Sequence, residues 1–487
     1  MAAALLVASA APAAAQSPGN VNFELAADSS FDSILTSATS AQRSWMNVHY
    51  TRMRGYAPFF TQALSWAPPA SFYKDLYALY RGDAGDQLLM NQHPNWVLRD
   101  AQGNRLFIQY DCDGTTCTQY AADIGSPEWR AHWIADARAT MNDGYSGLFV
   151  DDVNLEMRVS NGAGNFVRPV DPRTGQPMTD ADWRRYMAEF TEQIRAAFPG
   201  KEITHNSLWW MDRGDPYVQR QVAAADQIEV ERGFADTGIG GGGGQWGFET
   251  YLGYMDWVHS KGAGVTLEAY NLNSTSSMFE LASYFLVSNG ADRIASHYRS
   301  FPDNWWSGWD TDLGTPSGGR YSWQGLLRRD FNGGIALVNQ PGAATRTVQL
   351  PSGVEWRNLD GNVVTSVTLG AREGTVLKSS STPPPQDPPT SDPAPTSGDT
   401  VTAPTIKVNR KKVKSGRKLI LSGQASAASV EVRAYIGGAW QAVAADESLS
   451  DGDYSVRLKA TSPGVVEFKA TAPGLPESDT VSVKIKN

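Results

Sequence analysis

Short apolar runs alternate with longer stretches in which apolar positions recur every three or four residues, from about residue 41 to residue 300. A short run bounded by turn residues reads as a buried strand, and the longer spacing as an amphipathic helix. Strands are predicted at 55–60, 76–80, 106–110, 147–153, 202–206, 227–231, 264–268 and 293–297. Helices are predicted from Ser126, an N-cap followed by Pro127 at the first helical position, and from Thr179, which opens a capping-type start. Eight strands alternating with helices predict an α/β protein built on a (β/α)₈ barrel of the TIM type, which takes roughly 250 residues. The catalytic barrel is placed at residues 41–317.

Beyond residue 317 the helical spacing stops. Residues 318–378 read as short strands in a meander, a small all-β domain packed on the barrel. Residues 379–402 are dominated by proline, as in Pro383-Pro384-Pro385, and predict an extended linker. Residues 403–487 alternate apolar and polar positions in bursts separated by turn signals such as Gly437-Gly438 and Ser462-Pro463-Gly464. That rhythm predicts an immunoglobulin-like β-sandwich.

The net charge of −9 argues against nucleic acid as a partner. The C-terminal module differs, with thirteen Lys/Arg against eight Asp/Glu. Its cluster Arg410-Lys411-Lys412-Val413-Lys414 suits either an anionic cell-wall polymer or a solvated strand edge that discourages aggregation. Residues 1–15 are apolar and close on Ala13-Ala14-Ala15, as a secretory signal peptide does, although a positively charged start is missing. Export is therefore expected, extracellular or at the cell surface. No later stretch of about 18 apolar residues suggests a membrane span. Cys112 and Cys117, the two cysteines, are expected to form one local disulfide in an exported chain.

Candidate chemistry gathers at predicted strand ends. The run 147–150 ends in Asp151 and Asp152, Glu229 and Glu231 lie in the sixth strand, and Glu268 ends the seventh. Side chains alternate along a strand, so one of Asp151 and Asp152 is expected to face the site, and Glu229 and Glu231 share a face with Glu231 nearer the rim. Glycoside hydrolysis needs two carboxyl groups flanking the scissile bond, one to donate a proton and one to act as nucleophile or base. Asp123, His205, Asn206, Trp209 and Glu229 are candidates for binding sugar hydroxyls or faces. Trp305 and Trp306, on a loop past the eighth strand, are candidate stacking platforms, and sixteen Trp with eighteen Tyr in the chain suit a carbohydrate binder. Asp123 reads equally as helix-cap support and His205 as a core residue. The glycine-rich stretch 238–244 reads as a mobile loop over the site or a plain connector. Six histidines without metal-binding spacing predict no metal, and hydrolysis requires no cofactor.

Four segments carry a family resemblance: Trp96-Val-Leu-Arg-Asp, Tyr120-Ala-Ala-Asp-Ile-Gly-Ser-Pro-Glu-Trp-Arg, Gly147-Leu-Phe-Val-Asp-Asp-Val-Asn and Asp303-Asn-Trp-Trp-Ser-Gly-Trp-Asp. They resemble secreted bacterial TIM-barrel glycoside hydrolases, most of all the glycosidases grouped as hypothetical glycosyl hydrolase family fifteen. In barrel enzymes acting on α-glycosides, a strand-four aspartate is often the nucleophile and a strand-six acid the proton donor, which implies Asp151 and Glu231. A second barrel group pairs a strand-four acid with a strand-seven glutamate, which implies Asp151 or Asp152 with Glu268, but its Asn-Glu pair on strand four is absent here. The expectation is a secreted, retaining glycoside hydrolase of a polysaccharide or oligosaccharide. The alternative is a non-catalytic carbohydrate-binding or cell-surface protein on the same scaffold.

Overall fold

The computed structural model describes residues 17–26, 31–379, 404–425, 430–436, 439–446, 453–460, 464–472 and 478–486. The expected signal segment lies outside these residues, as does the proline-rich linker apart from Ser379, which closes a strand. The chain divides into two compact units, residues 1–386 and 387–487.

Eight parallel strands close a barrel: β1 (Phe23–Ala26), β2 (Arg52–Gly55), β3 (Ala70–Asp75), β4 (Gly147–Asp151), β5 (Glu202–Asn206), β6 (Gln227–Glu231), β7 (Gly264–Ala269) and β8 (Arg293–Ser296). Each pairs with its sequence neighbours, and β1 closes the ring against β8 through Phe23–Ile294. Strands β4 to β8 coincide with the sequence prediction. The first three do not. The barrel opens at Phe23, upstream of residue 41, on a four-residue strand too short to show a period. The segment predicted at 55–60 enters only as the end of β2 and then forms a 3₁₀ turn over Phe59–Ala63. The segments predicted at 76–80 and 106–110 supply Ala78–Tyr80 and Phe107–Ile108 to a four-stranded sheet outside the barrel. Their apolar residues Leu76, Tyr77, Leu79, Leu106 and Ile108 are buried in the same cluster as the barrel's outward side chains, so the hydrophobic signal was real although these segments are not barrel strands.

The helices form where capping chemistry starts them. Ser126 Oγ accepts from Trp129 N ahead of α1 (Pro127–Met141). Thr179 and Asp182 exchange capping-box bonds ahead of α2 (Asp180–Ala197). Then come α3 (Pro216–Ala223), α4 (Phe248–Ser260) and α5 (Ser274–Val287), each leading to the next strand. Outward residues such as Leu148, Val150, Ile203, Ile228, Val265 and Leu267 join helix residues such as Trp133, Trp183 and Phe190 in one apolar cluster between sheet and helices.

The β-domain is an antiparallel sheet built around Leu326–Phe331, Gly334–Asn339 and Glu373–Ser379, with a two-stranded ribbon of Arg346–Gln349 and Ser366–Leu369. It lies on α5, and a Cβ at Gly374 would come within 2.8 Å of Ala282 Cβ, so the close approach requires glycine there. The second unit holds a three-stranded and a five-stranded sheet whose inward residues, among them Leu419, Leu421, Val432, Val456, Phe468 and Val483, form one cluster. No described helix is long and apolar enough to cross a membrane.

Candidate active site

The barrel interior is filled with charge rather than aliphatic side chains. At its N-terminal end Glu202 receives Arg293 at 2.7 and 2.6 Å and Arg52 at 2.9 Å. One layer up, the Arg54 guanidinium reaches Glu229 at 2.7 Å and Glu268 at 2.9 Å, and lies 3.9 Å over the Phe149 ring. A buried charge is tolerable only when paired and hydrogen-bonded, and here each layer is neutralised by its own arginines. Burial pushes the Glu229 carboxyl well above the usual range despite Arg54, and it shares a hydrogen bond with Glu268. Although burial opposes it, Arg54 and that bond hold Glu268 well below the usual range. Both acids are engaged with Arg54 in forming the barrel floor, which is also the bottom lining of the cleft above it.

Above this floor a cleft of about 1090 Å³ opens at the C-terminal ends of the strands. That is the end at which barrel enzymes place their chemistry. Asp151 ends β4, Asn206 ends β5 and Glu231 ends β6, and all three line the cleft. Asn206 Nδ2 donates to Asp151 Oδ1 at 2.8 Å and to Glu231 Oε1 at 2.8 Å. Asp151 also accepts from the Tyr73 hydroxyl at 2.5 Å and from the backbone N–H of Asp152 at 2.8 Å. Burial raises the Glu231 carboxyl above its ordinary value, with Asp151 adding to the shift and the Asn206 bond opposing it.

Asp152 also lines the cleft, against the strand alternation. Its φ of 56° ends β4 in the left-handed region and swings the side chain back toward the site. There it accepts from Asn154 Nδ2 at 2.8 Å, and burial together with Asp151 pushes its carboxyl up to about 7. It lies beside Asp75 at the end of β3. Burial raises Asp75 well above its ordinary value even though its carboxylate accepts from Tyr77 N at 2.8 Å and Ala78 N at 2.7 Å. Asp75 and Tyr73 were missed because β3 was set too late in the chain. Shifted to 70–75, it ends in an acid just as β4 does.

Other candidates fall elsewhere. Asp123 is buried outside the cleft, clasped by Arg173 at 2.8 and 3.1 Å. His205 points outward from β5, because its neighbours Thr204 and Asn206 take the inward positions. Its Nδ1 meets Gln221 Nε2 at 3.0 Å, and complete burial pushes the imidazole down to about 3. Trp209 packs against Trp246 and Tyr251. Trp305 packs against Phe23 and Trp45 with its Nε1 donating to Asp310, and Trp306 packs edge-on to Trp309. The tryptophans fill apolar volume. The aromatic faces of the cleft are instead Tyr56, Tyr80, Tyr110, Phe166 and Tyr270, each substantially exposed. Tyr110 lies two residues before Cys112 of the Cys112–Cys117 disulfide. Residues 238–244 pack against the β-domain, with Gly242 N donating to Gln340 Oε1 at 2.9 Å. A second hollow of about 690 Å³ adjoins the cleft, sharing Glu231, Arg232 and Tyr270 and reaching Arg372 of the β-domain.

The sequence profile of hypothetical glycosyl hydrolase family 15 matches residues 59–335. The chain belongs to that family. It is a glycoside hydrolase, and the matched residues run from the 3₁₀ turn after the second barrel strand into the β-domain. No curated protein sequence matches it. Among solved structures, it is similar to the glycoside hydrolase domain of PelA from Pseudomonas aeruginosa, at 16% identity over 57% of this chain and 94% of that one, with a TM-score of 0.34. It is also similar to a noncanonic maltogenic alpha-amylase, AmyB, from Thermotoga neapolitana, at 14% identity over 74% of this chain and 98% of that one, with a TM-score of 0.44.

Proposed function

We propose that this family 15 chain cleaves glycosidic bonds with retention of configuration, Asp151 acting as nucleophile and Glu231 as acid and base. The observation that carries the reading is the shared donor. Asp151 Oδ1 and Glu231 Oε1 each lie 2.8 Å from the same Asn206 nitrogen, so at most twice that distance separates them. Retaining glycosidases hold their carboxyl groups about 5–5.5 Å apart, and inverting ones about 6.5–9.5 Å to admit a water. In the first step an Asp151 oxygen attacks the anomeric carbon, the glycosidic C–O bond breaks, and the Glu231 proton passes to the departing oxygen. In the second, ionised Glu231 takes a proton from water, the hydroxide oxygen bonds to the anomeric carbon, and Asp151 is released. Burial raises the Glu231 carboxyl above its ordinary value, the direction that a proton donor in the first step requires.

The exposed tyrosines around the cleft support a sugar polymer or oligosaccharide as substrate, since aromatic faces stack on the C–H faces of sugar rings. Export of the chain is part of the same reading. It is supported by the composition of residues 1–15 and by the Cys112–Cys117 disulfide, a bond that persists in oxidising compartments. The basic C-terminal module would then hold the enzyme on extracellular polysaccharide.

The test is a panel of bacterial and plant polysaccharides, followed by NMR of the first anomer released from the one that is cleaved. Retention of the substrate's configuration is expected. Inversion would remove the nucleophile role from Asp151.

A further inference from the structure

In the second unit, Lys412–Lys414 runs parallel to Val481–Lys486 in a register that sets Lys412 against Lys484 and Lys414 against Lys486. All four lysines are exposed, while Val413 and Ile485 between them are buried. Strand alternation therefore roots four lysine side chains on one outer face, at backbone positions about 4.8 Å apart across the strands and about 6.6 Å apart along them. The tight turn after Lys414, in which Ser415 N donates to Lys486 O at 2.7 Å, carries exposed Arg417 and Lys418 to the end of this ladder.

Like charges directly opposite one another destabilise a sheet. Among the described residues none of the four lysines has an acidic partner. Lysines on an edge strand are a common defence against aggregation, which accounts for Lys412 and Lys414. It does not account for Lys484 and Lys486, because Val481–Lys486 is an interior strand, with Gly464–Thr471 on its other side. The acid that register sets beside the ladder is Glu467 of the neighbouring strand, exposed, opposite Ser482 and diagonal to Lys484, so four positive charges face one negative and the ladder keeps an excess of positive charge in the middle of the sheet.

We propose that this lysine ladder is a docking site for an acidic polysaccharide, a chain carrying carboxylates along its sugars. This deepens the reading of the module as a polysaccharide-holding one and rests on it. A repeating anion on an extended chain matches a repeating cation on a flat face, and lysine, a compact point charge, suits carboxylates presented at varied angles. Single-stranded nucleic acid is held by stacking its bases on aromatic faces, and a membrane surface by inserting apolar side chains. The exposed large apolar residues on this face are Val465, opposite Lys484, and Tyr435, two strands away from Val481–Lys486. That is too little for either.

The experiment uses the full chain and its Lys412→Gln/Lys414→Gln/Lys484→Gln/Lys486→Gln variant. Binding is measured to polygalacturonate, to neutral dextran and to vesicles of phosphatidylserine and phosphatidylcholine, at about 50 and 200 mM salt, beside the melting temperature. Expected is salt-sensitive binding of wild type to polygalacturonate and not to dextran. The variant should bind several hundred-fold more weakly, on the order of 600-fold, since each of the four lysines near an anionic surface is worth about a factor of five. Its melting temperature should be unchanged or higher, because the repulsion is gone. Equal binding by variant and wild type, absence of polygalacturonate binding, or preference for the vesicles would each overturn the proposal. Polygalacturonate need not be cleaved, so the outcome is independent of the catalytic assignment.

Discussion

Asp151 and Glu231 take hydrogen bonds from one nitrogen, Nδ2 of Asn206, at 2.8 Å each. Two acids from strands that are not neighbours are thereby set at one spacing by a residue of the strand between them. The amide carries no charge, so it orients both carboxyl groups while opposing the raised Glu231 value less than the full charge of a lysine would.

Replacing either acid should stop turnover. Asp151→Asn and Glu231→Gln are each expected to lower kcat by at least about 10³-fold, with melting temperature within a few degrees of wild type, since both side chains lie in the solvated cleft. Release of reducing ends from the cleaved polysaccharide measures the first, and thermal unfolding the second. Wild-type rates in either variant would remove that residue from its role.

Asn206→Ala should cost about 10²-fold in kcat with little change in KM, because it removes a donor that positions the acids rather than one that binds ground-state substrate. Tyr73→Phe, which removes the 2.5 Å bond to Asp151, should act in the same direction. A rise in KM alone would show that these residues bind sugar instead.

His205 predicts a pH dependence of stability. Its imidazole is pushed down to about 3 in the fold from an ordinary value of 6.5. Below 6.5 the unfolded chain takes a proton that the native state refuses, so this group's contribution is present above 6.5 and lost as pH falls. His205→Gln removes the effect. Relative to wild type the variant should gain about 2 kcal/mol between pH 6.5 and 5, read from urea unfolding at each pH. A pH-independent difference would mean that His205 is charged or accessible.

Gly374 holds the β-domain against the barrel. A Cβ there would sit 2.8 Å from Ala282 Cβ and 3.3 Å from Phe279 Cα. Gly374→Val is expected to destabilise the first unit by about 1–3 kcal/mol, as overpacking does, without touching the acids of the cleft. Calorimetry with an activity assay below the transition checks both halves.

The strands carrying the acids were legible in sequence because β4, β6 and β7 are buried on both faces and carry an acid at or next to their last residue. Apolar run and acid together mark a parallel strand and its C-terminal rim. Asn206 was legible from its place, with His205, at the end of the predicted fifth strand. The early strands were not. Phe23–Ala26 is too short to show a period, and Leu76-Tyr77-Ala78-Leu79-Tyr80 offers a stronger apolar signal than Ala70–Asp75 beside it. Asp75 and Tyr73 were hidden by that competition.

Sequence alone determined the barrel, the family and the candidacy of Asp151 and Glu231, because strand burial and terminal charge are local properties that the chain carries wherever it goes. Which acids meet was decided only in three dimensions. Arg54, from β2, draws Glu229 and Glu268 into the barrel floor. The φ of 56° at Asp152 returns a second aspartate to the cleft. The tryptophans go to the packing layers, and tyrosines from several loops form the walls. Each of these outcomes depends on partners far away in sequence, and no period or spacing along the chain records them.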